Sequence, residues 1–398
     1  MPIYVDVSAA VHDRAGLGRY AGSLARALVE ARPGAFAFFY NGQPPPHALH
    51  RLPRVPMQSV RVGYKPWRMA VWWGQALRIP FNRWVPGATL FHATEHLLMP
   101  LRDVPTVLTV HDLIFHLFPQ YHKPLNYWYL RWTMPLYVQR ADALIAVSEA
   151  TRQDLIHLYG VSPAKVRVIY EAAAPHFRPA PPEDVARVRN RYGLPPRYLL
   201  TVGTLEPRKN LPRLFQALAR LEGAKRPPLV VAGAKGWLYE ETFRTVERLG
   251  LEGQVVFLGR VPEEDLPALY TAADLFILPS LYEGFGLPVL EAMACGVPVI
   301  CSRAASLQEV AGDAARYVDP RDPEGIAHAL QEVWEDAALR AALRAQGLAR
   351  AASFSWRRAA EETLALYDAL LAGQSRGDRS PSTRGEPPEP PGGGHHSG

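Results

Sequence analysis

Only two cysteines, Cys295 and Cys301, occur in 398 residues. They sit in Ala-Cys-Gly and Ile-Cys-Ser, company typical of small buried side chains, so neither a disulfide framework nor a cysteine metal site can be built. Such cysteine usage suits a reducing cytoplasm. No apolar run is long enough to span a bilayer, and no basic-then-apolar leader precedes the first strand-like run. Zinc-finger spacing, an RNA-recognition pattern and a basic helix are all missing, which leaves nucleic acid without support as a partner. Acidic residues are unevenly spread: none lies between Glu30 and Glu95, and none between 113 and 141. The chain is nonetheless basic overall, with net charge +6 and pI near 9.3, a balance that fits an anionic substrate or membrane surface.

Short β-rich runs alternate with helical patterns over a length too great for one ordinary core. This predicts two α/β domains, each a doubly wound parallel sheet. In the first half, strands are expected at 3–7, 35–40, 90–92, 106–110, 143–147 and 166–169. A loop holding Gly16 and Gly18 should follow the first strand and lead to a helix over 20–30. Ser148 is a natural N-cap for a helix through Leu158. The proline-rich stretch 172–196 divides a first domain, 1–171, from a second, 197–354. Strands are expected there at 198–202, 229–232, 255–258, 275–278 and 299–301, with one long helix over 323–350. A last amphipathic helix covers 355–372, and 373–398 has the composition of a disordered tail.

The most informative segment runs from Leu281 to Gly296 and holds two glutamates, Glu283 and Glu291. Gly284-Phe285-Gly286-Leu287-Pro288 lies between them. The glycines let backbone approach a ligand, proline suits a first helical turn, and Gly296 suits the residue after the last. The N–H groups of such a helix start favour an anion, typically phosphate. One acid before the turn and one in the helix would flank a phosphate bearing polyhydroxylated groups on either side. The plainer alternative is a turn acid and a helix-start acid with no ligand.

This segment resembles the Glu-x7-Glu motif of the retaining nucleotide-sugar glycosyltransferases of family 4, which have the GT-B fold: two Rossmann-like domains facing a cleft. The resemblance extends to Val202-Gly203-Thr204-Leu205-Glu206-Pro207-Arg208-Lys209-Asn210, similar to the family's diphosphate loop. It also takes in Gly16-Leu17-Gly18-Arg19-Tyr20, Val110-His111-Asp112-Leu113 and Ala146-Val147-Ser148-Glu149-Ala150, over roughly residues 1–370.

The resemblance implies roles. Arg208 and Lys209 would stabilise the departing diphosphate in place of a divalent metal; alone, they read equally as a solvated loop pair. No Asp-x-Asp occurs, and no metal or cofactor is expected. Glu291 would accept the donor's ribose hydroxyls, and Glu283 would face the transferred hexose. The backbone at Gly203, Thr204, Gly284, Phe285, Gly286 and Leu287 would line sugar and phosphate. The base would sit near Arg260 and Val261, with Gly16 and Gly18 approaching the phosphates on closure. His111, at the lip of the first sheet, would contact the hexose, unless it is a structural histidine paired to Asp112. The last helix would cross back onto the first domain. The diphosphate-loop variant resembles bacterial mannosyltransferases of polysaccharide assembly, making GDP-mannose the first donor and a UDP-sugar the second. An epimerase or phosphorylase of the same architecture, or a catalytically silent sugar-nucleotide binder, are the rivals, since fold alone does not decide function. The acid-free stretches carry Arg61, Lys65, Arg68, Arg78, Trp67, Trp72, Trp73, Trp84, Trp128, Arg131 and Trp132 on the side the resemblance makes the acceptor side. They suit a peripheral enzyme using a saccharide or lipid-linked acceptor at the inner face of the membrane; the plainer alternative is that the aromatics pack the first-domain core and the arginines are merely solvated.

Overall fold

The computed structural model describes residues 2–223 and 226–377. Two parallel sheets organise it. The first contains β1 (Ile3–Asp6), β2 (Phe36–Asn41), β3 (Met57–Val60), β4 (Leu90–Ala93), β5 (Thr106–Val110), β6 (Ala143–Ala146) and β7 (Val166–Val168). Their order is β3-β2-β1-β4-β5-β6-β7. The second contains β8 (Leu199–Val202), β9 (Leu229–Ala232), β10 (Val255–Gly259), β11 (Leu275–Leu278), β12 (Val299–Ser302) and β13 (Arg316–Val318), in the order β10-β9-β8-β11-β12-β13. The central strands are apolar on both faces because helices cover both: β4, β5, β6, β8, β9, β11 and β12 are buried throughout. Two edge strands, β3 and β13, were not foreseen. Met57-Gln-Ser-Val60 is half exposed at its edge, and Arg316-Tyr-Val318 is short and polar, so neither carries an apolar signature.

Three helical expectations need correction. Gly16 and Gly18 are not in a loop: they belong to the helix Ala15–Ala31. A side chain at 18 would put its Cβ 2.8 Å from the Ala9 carbonyl oxygen, so the glycine serves close packing of this helix on the short helix Ser8–Val11. The helix expected over 323–350 is two, Pro323–Glu335 and Ala337–Ala352. Asp336 leaves helical geometry between them, and its carboxylate caps the second by accepting the Leu339 amide. The last helix spans Trp356–Gly377, further than the expected end at 372. The rest of the expected tail, 378–398, lies outside the described residues.

That last helix packs on the first domain. Arg32 grips Asp368 with two hydrogen bonds of 2.8 and 2.7 Å, His92 Nδ1 lies 2.6 Å from the Tyr367 hydroxyl, and Trp356 meets Tyr20 edge-on. Within 172–196 the helix Pro182–Tyr192 ties to the second domain through Arg187 and Arg191, both paired with buried Asp265. One apolar core therefore runs from Tyr20 and Leu24 through Trp356 and Tyr367 to Phe285 and Leu287.

Candidate functional site

In a doubly wound sheet the ligand crevice opens at the carboxyl ends of the strands, where strand order reverses. The second sheet reverses between β8 and β11. The loops after these two strands carry Arg208-Lys209 and Glu283, and they meet. Lys209 Nζ donates to Glu283 Oε1 at 2.7 Å, and Arg208 donates to Glu283 Oε2. Ser280 Oγ adds a bond to Oε1 at 2.6 Å. Arg208 also binds Glu206 and the Tyr282 carbonyl, so its guanidinium is fixed on three sides. Burial would raise the Glu283 carboxyl, but the two cations outweigh it and hold the group at about 2. Burial pushes Lys209 below its ordinary value, and Arg208 adds to that fall. Gly203 packs against the Lys209 stem, where a Cβ would stand 3.0 Å from Cε. Thr204 packs beside Gly236.

Glu291 lies on Leu287–Ala294, a helix capped by Gly286 at φ 110°. It is 1% exposed. Arg19 reaches across from the first domain and places Nη1 2.8 Å from Glu291 Oε1, while the Tyr270 hydroxyl donates to Oε2 at 3.1 Å. Burial raises the Glu291 carboxyl, and Arg19 offsets that only in part. Phe285 turns its ring away toward Tyr170 and Phe354, and Leu287 is buried.

The domains touch at His111 and Gly284. A Cβ at 284 would fall 1.9 Å from the His111 carbonyl oxygen, so only glycine permits this approach. The His111 ring is held on both sides: Nε2 to the Thr94 carbonyl at 2.9 Å and Nδ1 to Glu171 at 3.2 Å. Its partner is thus Glu171 rather than Asp112, whose carboxylate accepts the Ile114 amide instead. Burial lowers His111, but Glu171 reverses the sign and leaves it raised. The expected base region is less engaged. Arg260 is largely exposed, 3.9 Å from Asp13, and Val261 is buried.

Sequence reasoning gave no role to Arg19, Glu171, Tyr270, Ser280 or Glu206. Arg19 and Glu206 stood inside quoted motifs, so a signal existed. Ser280 stood in the loop 279–288 that follows a strand, three residues before Glu283, whereas Tyr270 and Glu171 lie outside every motif and reach the site only through folding. Among the described residues, no three His, Cys, Asp or Glu side chains group so as to hold a metal ion.

Two family models match the chain: Glycosyltransferase Family 4 over residues 14–177 and Glycosyl transferases group 1 over residues 184–350. O-antigen chain mannosyltransferase B of Escherichia coli is 39% identical over 285 residues, 71% of this chain and 74% of that protein. Serotype-specific mannosyltransferase WbdA of Escherichia coli is 33% identical over 289 residues, 70% of this chain but only 36% of that protein. Sucrose-phosphate synthase from Thermosynechococcus elongatus has a similar structure, with TM-score 0.73 at 22% identity over 94% of this chain and all of the other. HepE of Anabaena, in complex with UDP and glucose, gives TM-score 0.72 at 20% identity over 92% of this chain and 99% of the other. The paired parallel-sheet domains have the GT-B architecture, and the chain belongs to glycosyltransferase family 4.

Proposed function

We propose that this glycosyltransferase moves mannose from GDP-mannose to a hydroxyl of a saccharide or lipid-linked acceptor, with retention and without a metal. The observation that carries the reading is the convergence of Arg208 and Lys209 on Glu283 at the carboxyl ends of β8 and β11. A diphosphate approaching that point meets two fixed cations, preorganised where charge develops on the leaving group. Glu283 holds them in place and faces the hexose. Glu291, steadied by Arg19 and Tyr270, offers its carboxylate to the ribose hydroxyls. The bond from the anomeric carbon to the phosphate oxygen breaks as the acceptor oxygen bonds the same face. The acceptor proton passes to the departing phosphate oxygen. The Gly284–His111 contact closes the cleft over this chemistry and limits water.

Mannose rests on the Escherichia coli relatives, both named as mannosyltransferases. HepE in complex with UDP keeps a UDP-sugar as the second donor. A panel of nucleotide sugars, scored by thermal shift and by transfer, tests the reading, because a tight donor raises the melting temperature by mass action. GDP-mannose should give the largest shift, the product should keep the donor's anomeric configuration, and EDTA should leave transfer intact. Failure of every nucleotide sugar to shift the melt overturns the reading. Loss of transfer in EDTA, restored by metal, overturns its metal-free step.

The acceptor side is proposed to rest on the inner face of the membrane. In support, helices Tyr64–Leu77 and Pro124–Arg140 expose Met69, Trp73, Leu77, Leu125, Trp128 and Trp132. No helix among the described residues is long and apolar enough to cross a membrane.

A further inference from the structure

The first sheet also reverses its strand order, between β1 and β4. Its crevice is furnished with charged groups separate from the Arg208–Lys209–Glu283 cluster. Asp6 ends β1, and Thr94 and Glu95 follow β4. Glu95 is 3% exposed. Its Oε2 takes Arg14 Nη1 at 2.5 Å, and the guanidinium lies over the Tyr64 ring, 3.5 Å from the centroid. Its Oε1 is buried with no hydrogen-bond partner among the described residues. Beside it, Asp6 Oδ1 accepts the Ser8 amide at 2.8 Å and the Asp6 carbonyl accepts the Thr94 hydroxyl at 2.6 Å. On the far side of β1, at the end of β2, Asn41 Oδ1 is a second buried acceptor without a partner. The Thr94 carbonyl binds His111, so this crevice adjoins the point where the domains touch.

A buried oxygen without a donor is costly, more so on a carboxylate, and ionised carboxylates only accept. The missing partner is therefore a donor. Arg14 on Oε2 disfavours a metal cation at Glu95, and the Glu95 carboxylate itself disfavours phosphate. A neutral ligand that donates hydroxyl protons suits both. We propose that Glu95, positioned by Arg14 and Tyr64 at the β1–β4 reversal, binds saccharide hydroxyls. The sugar held there is the acceptor of the transfer proposed above, and that last identification rests on that reading.

Saturation-transfer NMR with methyl α-mannoside as probe tests the site, with nucleoside diphosphate binding measured on the same proteins. Glu95→Gln should weaken the mannoside about tenfold or more, the scale of a lost hydrogen bond to a charged group. Arg14→Met should weaken it in the same direction and serves if the first variant fails to fold. Both should bind GDP or UDP within about twofold of the parent, since a lost charged contact would cost far more. Absence of transfer to the mannoside in the parent protein overturns the proposal, as does equal binding by parent and folded variants, or a fall in nucleotide binding that matches the fall for the mannoside. Failure of the parent to bind either nucleotide would instead overturn the donor reading and leave the saccharide result standing.

Discussion

At the scale of single residues, the site is a set of buried charges whose partners decide their state. Removing Arg208 or Lys209 leaves Glu283 with one counter-charge and, in the proposed reading, withdraws a fixed cation from the leaving group. Arg208→Ala and Lys209→Ala should each lower turnover by roughly two to three orders of magnitude, checked by steady-state kinetics beside melting curves. Near-parental turnover would remove that residue from its role. Two carboxyls should also give opposite pH signatures. Glu283 is held at about 2 against an ordinary 4.5, because its cations overcome burial. Its contribution is present above pH 4.5 and is lost as pH falls toward 2. Asp6 is raised to about 7 from 3.8, first by burial and then by Glu95. The folded form keeps a proton that the unfolded form has shed, so stability falls as pH rises from 3.8 to 7. Urea midpoints should show the parent's advantage over Glu283→Gln shrinking below pH 4.5, by roughly 3 kcal/mol at most. Asp6→Asn should gain on the parent as pH rises to 7, by roughly 4 kcal/mol at most. Parallel curves in either case would contradict the stated environment of that carboxyl.

At the scale of elements, what was legible in the sequence was what repeats or must be special. The central strands announced themselves as apolar runs because both faces are buried, and β8 and β11 led directly to the loops that meet at Glu283. Edge strands β3 and β13 did not, since a half-exposed strand needs no apolar pattern. Gly16 and Gly18 suggested a loop, yet at Gly18 glycine permits a close helix contact, and composition does not distinguish the two uses. The pairing of Glu291 with Arg19 was hidden for a different reason. It joins residues 272 positions apart, across two domains, and no periodicity encodes it. Gly284 was read as room for a ligand, whereas in the fold its missing side chain also admits the His111 carbonyl. Gly284→Ala should therefore hold the domains apart without unfolding either. Small-angle scattering should report a larger radius of gyration, with turnover reduced and melting of the separate domains little changed. An unchanged radius together with full activity would show that the contact is dispensable.

At the scale of the whole molecule, several bonds join the two domains besides the Gly284–His111 contact and the Arg19–Glu291 pair. Glu309 accepts the Glu149 and Ala150 amides at 2.7 and 2.8 Å, capping a first-domain helix from the second domain, and Tyr282 binds Asp154. With both domains so joined, the exposed large apolar residues gather on the first domain, with Leu238 the exception on the second among the described residues. The aromatics of the acid-free stretches divide into two groups. Trp67 is core, packed between Phe39 and Phe81. Trp73, Trp128 and Trp132 are 52%, 52% and 64% exposed, and Leu125 is 89% exposed. Their helices lie side by side, joined by Arg68 to Asn126 and Arg140 to Gln75. Met69, Trp73 and Leu77 recur every fourth residue, and Leu125, Trp128 and Trp132 every third or fourth, so each helix turns an apolar stripe outward. Lys65, Arg78 and Arg131 are exposed on these helices or at their ends, with no carboxylate in either segment. Each basic group near an anionic surface contributes about 1 kcal/mol, and tryptophan favours the interface. The protein should therefore sediment with anionic liposomes at low salt and partly release at high salt. The combined Trp73→Ala, Trp128→Ala and Trp132→Ala variant should bind several-fold less while melting as the parent does, because those rings support no core. Equal absence of binding to anionic and neutral vesicles at low salt would assign the acceptor to solution and leave the two stripes without a membrane role.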